Sequence, residues 1–271
     1  MSPEPDPRLG EALLALVRRR LEETQGLLVI GICGAQGSGK TTLAQWLVRQ
    51  LGGEGIAAAQ ASLDDFYLTR AERQDLARQV HPLLATRGVP GTHDVALALR
   101  IITQLECGEA VPLPFFAKTQ DDRAAPDDWP LAPAQCRVLV LEGWCLGAVP
   151  QPAADLGPPV NALEAGDDAQ GVWRRHANAC LAGDYQRLFA RLDALVMLAA
   201  PGFAVVHGWR WQQERGLAQG AHSMDEAGVT RFIAHYQRLT EWILAEMPAR
   251  ADLVVRLDVA RRVTAITAAR R

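Results

Sequence analysis

Neither sign of charge dominates this chain of 271 residues: 28 Lys and Arg stand against 31 Asp and Glu, a formal net charge of −3. With no long basic run, it lacks the electrostatic footprint of a nucleic-acid binder. Its five cysteines, Cys33, Cys107, Cys136, Cys145 and Cys180, are odd in number and never spaced C-x-x-C. That argues against a disulfide framework and a zinc site, and fits a reducing compartment. No apolar stretch reaches the roughly 20 residues that a spanning helix needs. The opening Met1-Ser-Pro-Glu-Pro-Asp-Pro7 is acidic and proline-rich, unlike a secretory leader. The expectation is a cytoplasmic protein with no membrane and no nucleic-acid partner. Aromatic residues are sparse at 6%, and the seven tryptophans read as core and lid packing because no basic stripe accompanies them.

What remains is an ordinary globular composition, 49% hydrophobic and 22% charged, enough for one large α/β domain over 1–271. Its centre is Leu28-Val-Ile-Gly-Ile-Cys-Gly-Ala-Gln-Gly-Ser-Gly-Lys-Thr-Thr42. Leu28 to Cys33 reads as a buried strand, and Leu43, Trp46, Leu47 and Leu51 share one face of a following helix. Between them Gly34-x-x-x-x-Gly39-Lys40-Thr41 fits the phosphate-binding loop at every fixed position. Glycines let backbone N–H groups converge on a phosphate, and the helix N-terminus adds partial positive charge. The nucleotide contacts are therefore assigned to Gly34, Ala35, Gln36, Gly37, Ser38, Gly39, Lys40, Thr41 and Thr42. Lys40 would bridge the β- and γ-phosphates, and the Thr41 hydroxyl would hold Mg²⁺.

Around this centre the pattern alternates. A helix over Leu9–Leu21 forms an N-terminal extension, 1–26, and Ile56–Ser62 reads as a second strand. Residues 69–91 read as an irregular loop or lid with one short helix at Ala71–Gln79, and Thr92 as the N-cap of a helix through Cys107. Val111–Pro130 is again irregular. Val138–Leu141 is a buried strand, Ala148–Ala169 a surface insertion of low structural content, and Val172–Leu192 helical with a break near Gly183. Ala194–Leu198 and Leu253–Leu257 read as strands flanking one long helix, Asp225–Met247. Alternating strands and helices imply a three-layer fold with a mostly parallel sheet of about five strands, covered on both faces, and a lid.

Phosphoryl transfer needs an acid to order the metal, a base beside the acceptor, and cations around the transferred group. Glu142 ends an apolar strand and is the candidate metal-ordering acid. Asp64 and Asp65 end the second strand; like charges in a confined site push each other's pKa values apart, leaving Asp64 as base and Asp65 as metal or water contact. Asp65 reads equally as a turn cap. Candidate cations are Arg87, Lys118, Arg123 and Arg210, each also readable as solvated. Arg210, within Gly208-Trp-Arg-Trp-Gln-Gln-Glu214, could come down on the phosphates as a lid closes. His93 reads either as a contact to an anionic substrate or as a surface residue. Tyr67, beside the acidic pair, joins Asp64, Arg87, His93, Lys118 and Arg123 as a substrate contact. No Asn-Lys-x-Asp guanine-specificity motif and no Leu-Ser-Gly-Gly-Gln signature is present, which argues against the alternative of a regulatory NTPase that hydrolyses ATP to switch shape and bind a partner.

Several segments together resemble one family. They are Ser62-Leu-Asp-Asp-Phe-Tyr-Leu-Thr69, His81-Pro-Leu-Leu-Ala-Thr-Arg-Gly-Val-Pro-Gly-Thr-His-Asp94, Leu141-Glu-Gly-Trp-Cys-Leu-Gly147, Trp209-Arg-Trp-Gln-Gln-Glu214 and Phe232-Ile-Ala-His-Tyr-Gln-Arg-Leu-Thr240. These resemble the glycerate 3-kinases of the plant and fungal type and their bacterial relatives, within the uridine kinase, phosphoribulokinase and pantothenate kinase superfamily. The likeness runs from about Val29 to Leu257. It implies ATP- and Mg²⁺-dependent phosphorylation of D-glycerate, a small hydroxy acid, to 3-phosphoglycerate, with Asp64 and Lys40 as catalytic residues. Where relatives tend to carry Arg-Phe-Asp-Lys, this chain reads Phe115-Phe116-Ala117-Lys118.

Overall fold

A computed structural model describes residues 4–216 and 225–269. In chain order the main elements are α1 (Pro7–Glu23), β1 (Leu28–Gly34), α2 (Lys40–Gly53), β2 (Ala58–Ser62), α3 (Arg70–Gln79), α4 (Val95–Glu106) and β3 (Val138–Gly143). There follow α5 (Ala162–Asp167), α6 (Val172–Cys180), α7 (Gln186–Phe189), β4 (Ala194–Ala199), α8 (Ala204–Gly216), α9 (Glu226–Ala234), α10 (Gln237–Glu246), β5 (Leu253–Leu257) and β6 (Val263–Ala268). The strands form one sheet in the order β6-β5-β4-β1-β3-β2. All neighbours are parallel except β6, which returns antiparallel to β5.

Every residue of β1 is buried, as befits a central strand covered on both faces. Its side chains alternate between two cores. Leu28, Ile30 and Ile32 pack with Leu13, Val17, Leu47 and Leu51 under α1 and α2. Val29 and Cys33 join Ile102, Leu105, Leu141 and Leu188 on the α4 and α7 side. β3 and β4 border β1 on opposite sides, so the chain reverses its direction of travel across the sheet there. The crevice beyond the carboxyl end of β1 is where open α/β sheets bind ligands.

Several expectations need correction. The sheet has six strands, because β6 adds an exposed edge whose Thr and Ala positions carry no apolar alternation. Residues 69–91 hold the expected short helix, found as α3, but the rest is ordered too: Thr69 and Glu72 form a reciprocal capping box on α3, and Leu83, Leu84 and Val89 are buried. The N-cap of α4 is Asp94, whose carboxylate accepts from Leu97 N; the Thr92 hydroxyl instead accepts from Gly88 N. Residues 148–169 include α5 and the fully buried Glu164, which binds Arg238 through two hydrogen bonds of 2.8 and 2.7 Å. The long helix expected from Asp225 to Met247 is two helices, α9 and α10, meeting at His235 and Tyr236. The break near Gly183 is present, with φ −94° and ψ −116°. Among the described residues no helix is long and apolar enough to cross a membrane, and no group of three or more His, Cys, Asp or Glu gathers as a metal site.

Candidate active site

The turn after β1 can form only with glycine at its bends. Gly37 and Gly39 sit at φ +78° and +93°, where side-chain-bearing residues are strained. A Cβ on Gly37 would also lie 2.8 Å from the Cβ of Trp209, so α8 rests directly on the loop. No side chain caps the N-terminus of α2, which leaves its first N–H groups open to an anion. The Ser38 hydroxyl beside them is buried and has no protein partner. These features fit a bound phosphate. Lys40 begins α2 and its ammonium donates back to Ala35 O at 3.3 Å, so the amine lies over the turn.

Register explains the next contact. Glu142 on β3 stands opposite Ile32 of β1, which brings it under the first turn of α2. There its Oε1 accepts from the Thr41 hydroxyl at 2.7 Å, and the side chain is buried. A hydroxyl and a carboxylate held together beside a phosphate cradle make a hard oxygen donor set suited to Mg²⁺.

β2 ends in a short 3₁₀ turn, Leu63–Phe66, capped by the Ser62 side chain on Asp64 N. This turn sets Asp64 on the wall facing Lys40, Thr41 and Glu142, with Ser62, Tyr67, Arg87, Lys118, Trp144, Arg210, Phe232 and Tyr236 completing the cleft. Asp64 accepts from the Tyr67 hydroxyl at 2.9 Å and from the Lys118 ammonium at 3.1 Å. Burial alone would raise its pKa, yet the charges of Lys118 and Lys40 and these two donors hold it well below the usual carboxylate range. Asp65 is displaced the other way, to about 6, by burial and by the Asp64 charge, against the lowering effect of the Phe116 N–H. The two pKa values lie apart, but chiefly because lysine charge falls on Asp64 and burial on Asp65, with their mutual repulsion a lesser cause.

The remaining candidates divide. Asp65 is not in the cleft wall: its Oδ1 accepts from Phe116 N and pins the hairpin Phe116–Arg123, which argues against a metal role. His93 is 5% exposed and stacks on Tyr67 with ring centroids 4.5 Å apart. The Tyr185 hydroxyl accepts from Gly91 N and shares a 2.6 Å hydrogen bond with His93 Nδ1. Burial pushes His93 down to about 4, so at neutral pH it brings no charge to a substrate. Arg123 donates to Tyr67 O at 3.2 and 2.8 Å and meets Asp94 at 3.5 Å; it braces the wall and does not line it. Arg87 lines the cleft but is ion-paired with Asp121. Arg210 lines it too, its guanidinium 5.5 Å from the centre of the Phe232 ring.

A family model described as "Phosphoribulokinase / Uridine kinase family" matches residues 29–156. The chain is also 36% identical over 220 residues to the uncharacterized kinase mug58 of Schizosaccharomyces pombe, covering 77% of this chain and 78% of that protein. The chain belongs to the phosphoribulokinase/uridine kinase family. The kinase is further similar to the chloroplastic D-glycerate 3-kinase of Arabidopsis thaliana, 31% identical over 241 residues, which spans 83% of this chain but 50% of the plant protein. Among solved structures, the YGR205w protein matches with TM-score 0.72 and 27% identity, covering 95% of each chain. The D-glycerate 3-kinase of Cryptococcus neoformans matches at TM-score 0.80 and 22% identity over 97% of this chain and all of that one, a likeness of fold. The kinase is thus a phosphotransferase with an alcohol acceptor.

Four residues that shape the kinase's cleft were given no site role from sequence, although three of them lie in the segments that carry the family resemblance. Phe232 and Tyr236 arrive from α9 and the α9–α10 junction, and Trp144 from the end of β3. Arg73, 1% exposed on an otherwise polar helix, ties the wall together by donating to Leu68 O, Ala85 O and Asp121 O. Gly88 is clamped between two of the aromatic residues: Trp144 Nε1 donates to its carbonyl at 2.9 Å, and a Cβ would lie 2.2 Å from the Tyr236 hydroxyl. At φ +141° it is strained for any other residue. Gly88→Ala is expected to lower unfolding stability by about 1–3 kcal/mol, the cost of overpacking, read as a shift in the denaturant midpoint. An unchanged midpoint would show that this packing is loose.

Proposed function

We propose that this kinase transfers the γ-phosphoryl group of ATP to the 3-hydroxyl of D-glycerate. The observation that carries the reading is Asp64 facing Lys40 and the Thr41–Glu142 pair across one cleft. The 31% identity to the Arabidopsis D-glycerate 3-kinase supports the choice of acceptor.

The loop N–H groups and Lys40 would hold the β- and γ-phosphates, and Thr41 with Glu142 would hold Mg²⁺. A metal held there would supply positive charge that offsets the charge of the phosphates. The rest of the nucleotide would leave the loop on its other side, where Ser38, Gly39 and Thr42 share a second cleft with Asp6, Leu43, Leu257 and Arg262. Asp64, ionised at neutral pH, accepts the proton of the acceptor hydroxyl as its oxygen bonds to the γ-phosphorus. The bond from that phosphorus to the β–γ bridging oxygen breaks, and ADP leaves with the electron pair. Tyr67 holds the carboxylate in place from Oδ1, and Lys40 offsets charge on the transferring group.

The aromatic wall of Trp144, Phe232 and Tyr236 also suits a flat base. This favours a nucleoside as the second reading, and a uridine kinase of Leuconostoc citreum is 29% identical over 116 residues. ADP release with Mg-ATP is to be followed with D-glycerate, uridine, pantothenate and ribulose 5-phosphate in turn. D-Glycerate is expected to raise the rate most. A rate unaffected by every acceptor would favour a regulatory ATPase and end the kinase-of-glycerate reading.

A further inference from the structure

Asp64 meets the cleft with both carboxylate oxygens engaged: Oδ1 by the Tyr67 hydroxyl and Oδ2 by the Lys118 ammonium. A hydroxyl about to be phosphorylated needs one of these oxygens as proton acceptor, at about 2.6–3.2 Å. The two occupants differ in freedom. Tyr67 is buried, stacked on His93 and edge-on to Phe116, so its hydroxyl is fixed. The Lys118 side chain is 59% exposed and stands on a flexible four-carbon stem. The backbone beneath it is pinned: Asp65 accepts from Phe116 N, Asp122 from Arg70 N, and Arg73 donates to Asp121 O. Lys118 can therefore swing its head group while its hairpin stays in place.

The other basic residues read from sequence as acceptor contacts are committed. Arg87 is paired with Asp121, Arg123 with Tyr67 O and Asp94, and His93 is buried against Tyr185. The ion pair of Lys118 is with the base itself.

We propose that Lys118 is an acceptor-sensing latch, leaving Asp64 only for a carboxylate carried by the acceptor, so that the cleft selects hydroxy acids over neutral alcohols and restrains ATP hydrolysis when no acid is bound. The proposal rests on the reading of Asp64 as base. An acid exchanges one ion pair for another, so the ammonium keeps a partner throughout. A neutral alcohol must open the Lys118–Asp64 contact with nothing to replace it, and that unmatched charge discriminates against it.

The test compares wild type, Lys118→Met and Lys118→Arg with Mg-ATP and three conditions: D-glycerate, its neutral amide D-glyceramide, and no acceptor. Wild type and Lys118→Arg are expected to prefer the acid by about 10- to 100-fold in kcat/KM, the scale of a hydrogen bond to a charged group. In Lys118→Met that preference falls to a few-fold, and ADP release without acceptor rises. A preference that survives in Lys118→Met with unchanged background hydrolysis overturns the latch. So does an equal loss of kcat with both acceptors, the mark of a structural role, or a raised KM for ATP alone, which would assign Lys118 to the phosphates. If wild type ignores glycerate but uses another hydroxy acid with the same Lys118 dependence, the latch stands and the glycerate reading falls. If wild type uses acid and amide equally, the latch falls and the kinase reading stands.

Discussion

Asp64→Asn is expected to lower kcat by about 10²–10⁴, the usual size of general-base catalysis, with ATP binding retained. Asparagine is close in shape, and its carbonyl can still accept from the Tyr67 hydroxyl that now reaches Oδ1. It cannot take a proton, and its amide would turn N–H groups toward the Lys118 ammonium that the carboxylate now binds. The loss should appear in single-turnover phosphoryl transfer, while a fluorescent ATP analogue binds as before. Stability follows the same charge. The folded pKa of Asp64 lies below its unfolded value, so its contribution is present above the ordinary carboxylate range and fades only as pH falls through the folded value. The variant lacks that contribution at neutral pH, an effect kept small by the exposure of Lys118. Full activity in Asp64→Asn would remove Asp64 from the mechanism.

Lys40→Ala is expected to lose about 2–4 kcal/mol of transition-state stabilisation, or roughly 30- to 1,000-fold in kcat/KM for ATP, as for one preorganised electrostatic contact. The ammonium already lies across the turn on Ala35 O, so little motion brings it to a phosphate in the cradle. Alanine keeps the helix start, since α2 draws no capping bond from the lysine and the turn depends on Gly37 and Gly39. The fold should therefore survive, and circular dichroism with a thermal melt checks that it does. A fall of less than fivefold would mean that backbone N–H groups and other cations carry the phosphate charge without Lys40.

The parts of the site written in one contiguous stretch could be read before any coordinates. The Gly34–Thr42 loop, the strand-end Glu142 and the acidic pair after β2 each announce themselves by residue type and by position at a strand's carboxyl end. What could not be read depends on partners far along the chain. His93 and Arg123 carry side chains that suggest substrate charge, but burial against Tyr185 removes one and the Tyr67 carbonyl absorbs the other. Arg73 sits in Arg70-Ala-Glu-Arg-Gln-Asp-Leu-Ala-Arg-Gln79, where nothing marks one arginine of three for the interior. Glu164 is 74 residues from Arg238, and without that partner its segment reads as a surface insertion. Tyr236 reaches the Arg87 carbonyl from 149 residues away. The fold was easier, because alternating apolar strands and amphipathic helices encode it locally. Among the six strands of the sheet β6 escaped, as an exposed edge strand lacks the buried run that marks the others, and among the helices α5 and α8 escaped.

In the proposed mechanism the phosphate loop holds the transferred phosphate and Asp64 meets the acceptor, and the identity of that acceptor is the central claim. Phosphorus NMR of the product formed from D-glycerate and Mg-ATP tests it most directly. The account predicts a phosphomonoester split into a triplet by the two protons of its CH₂ group, the signature of phosphate on the 3-hydroxyl. A doublet from a single CH proton, or inorganic phosphate and ADP alone, would contradict it.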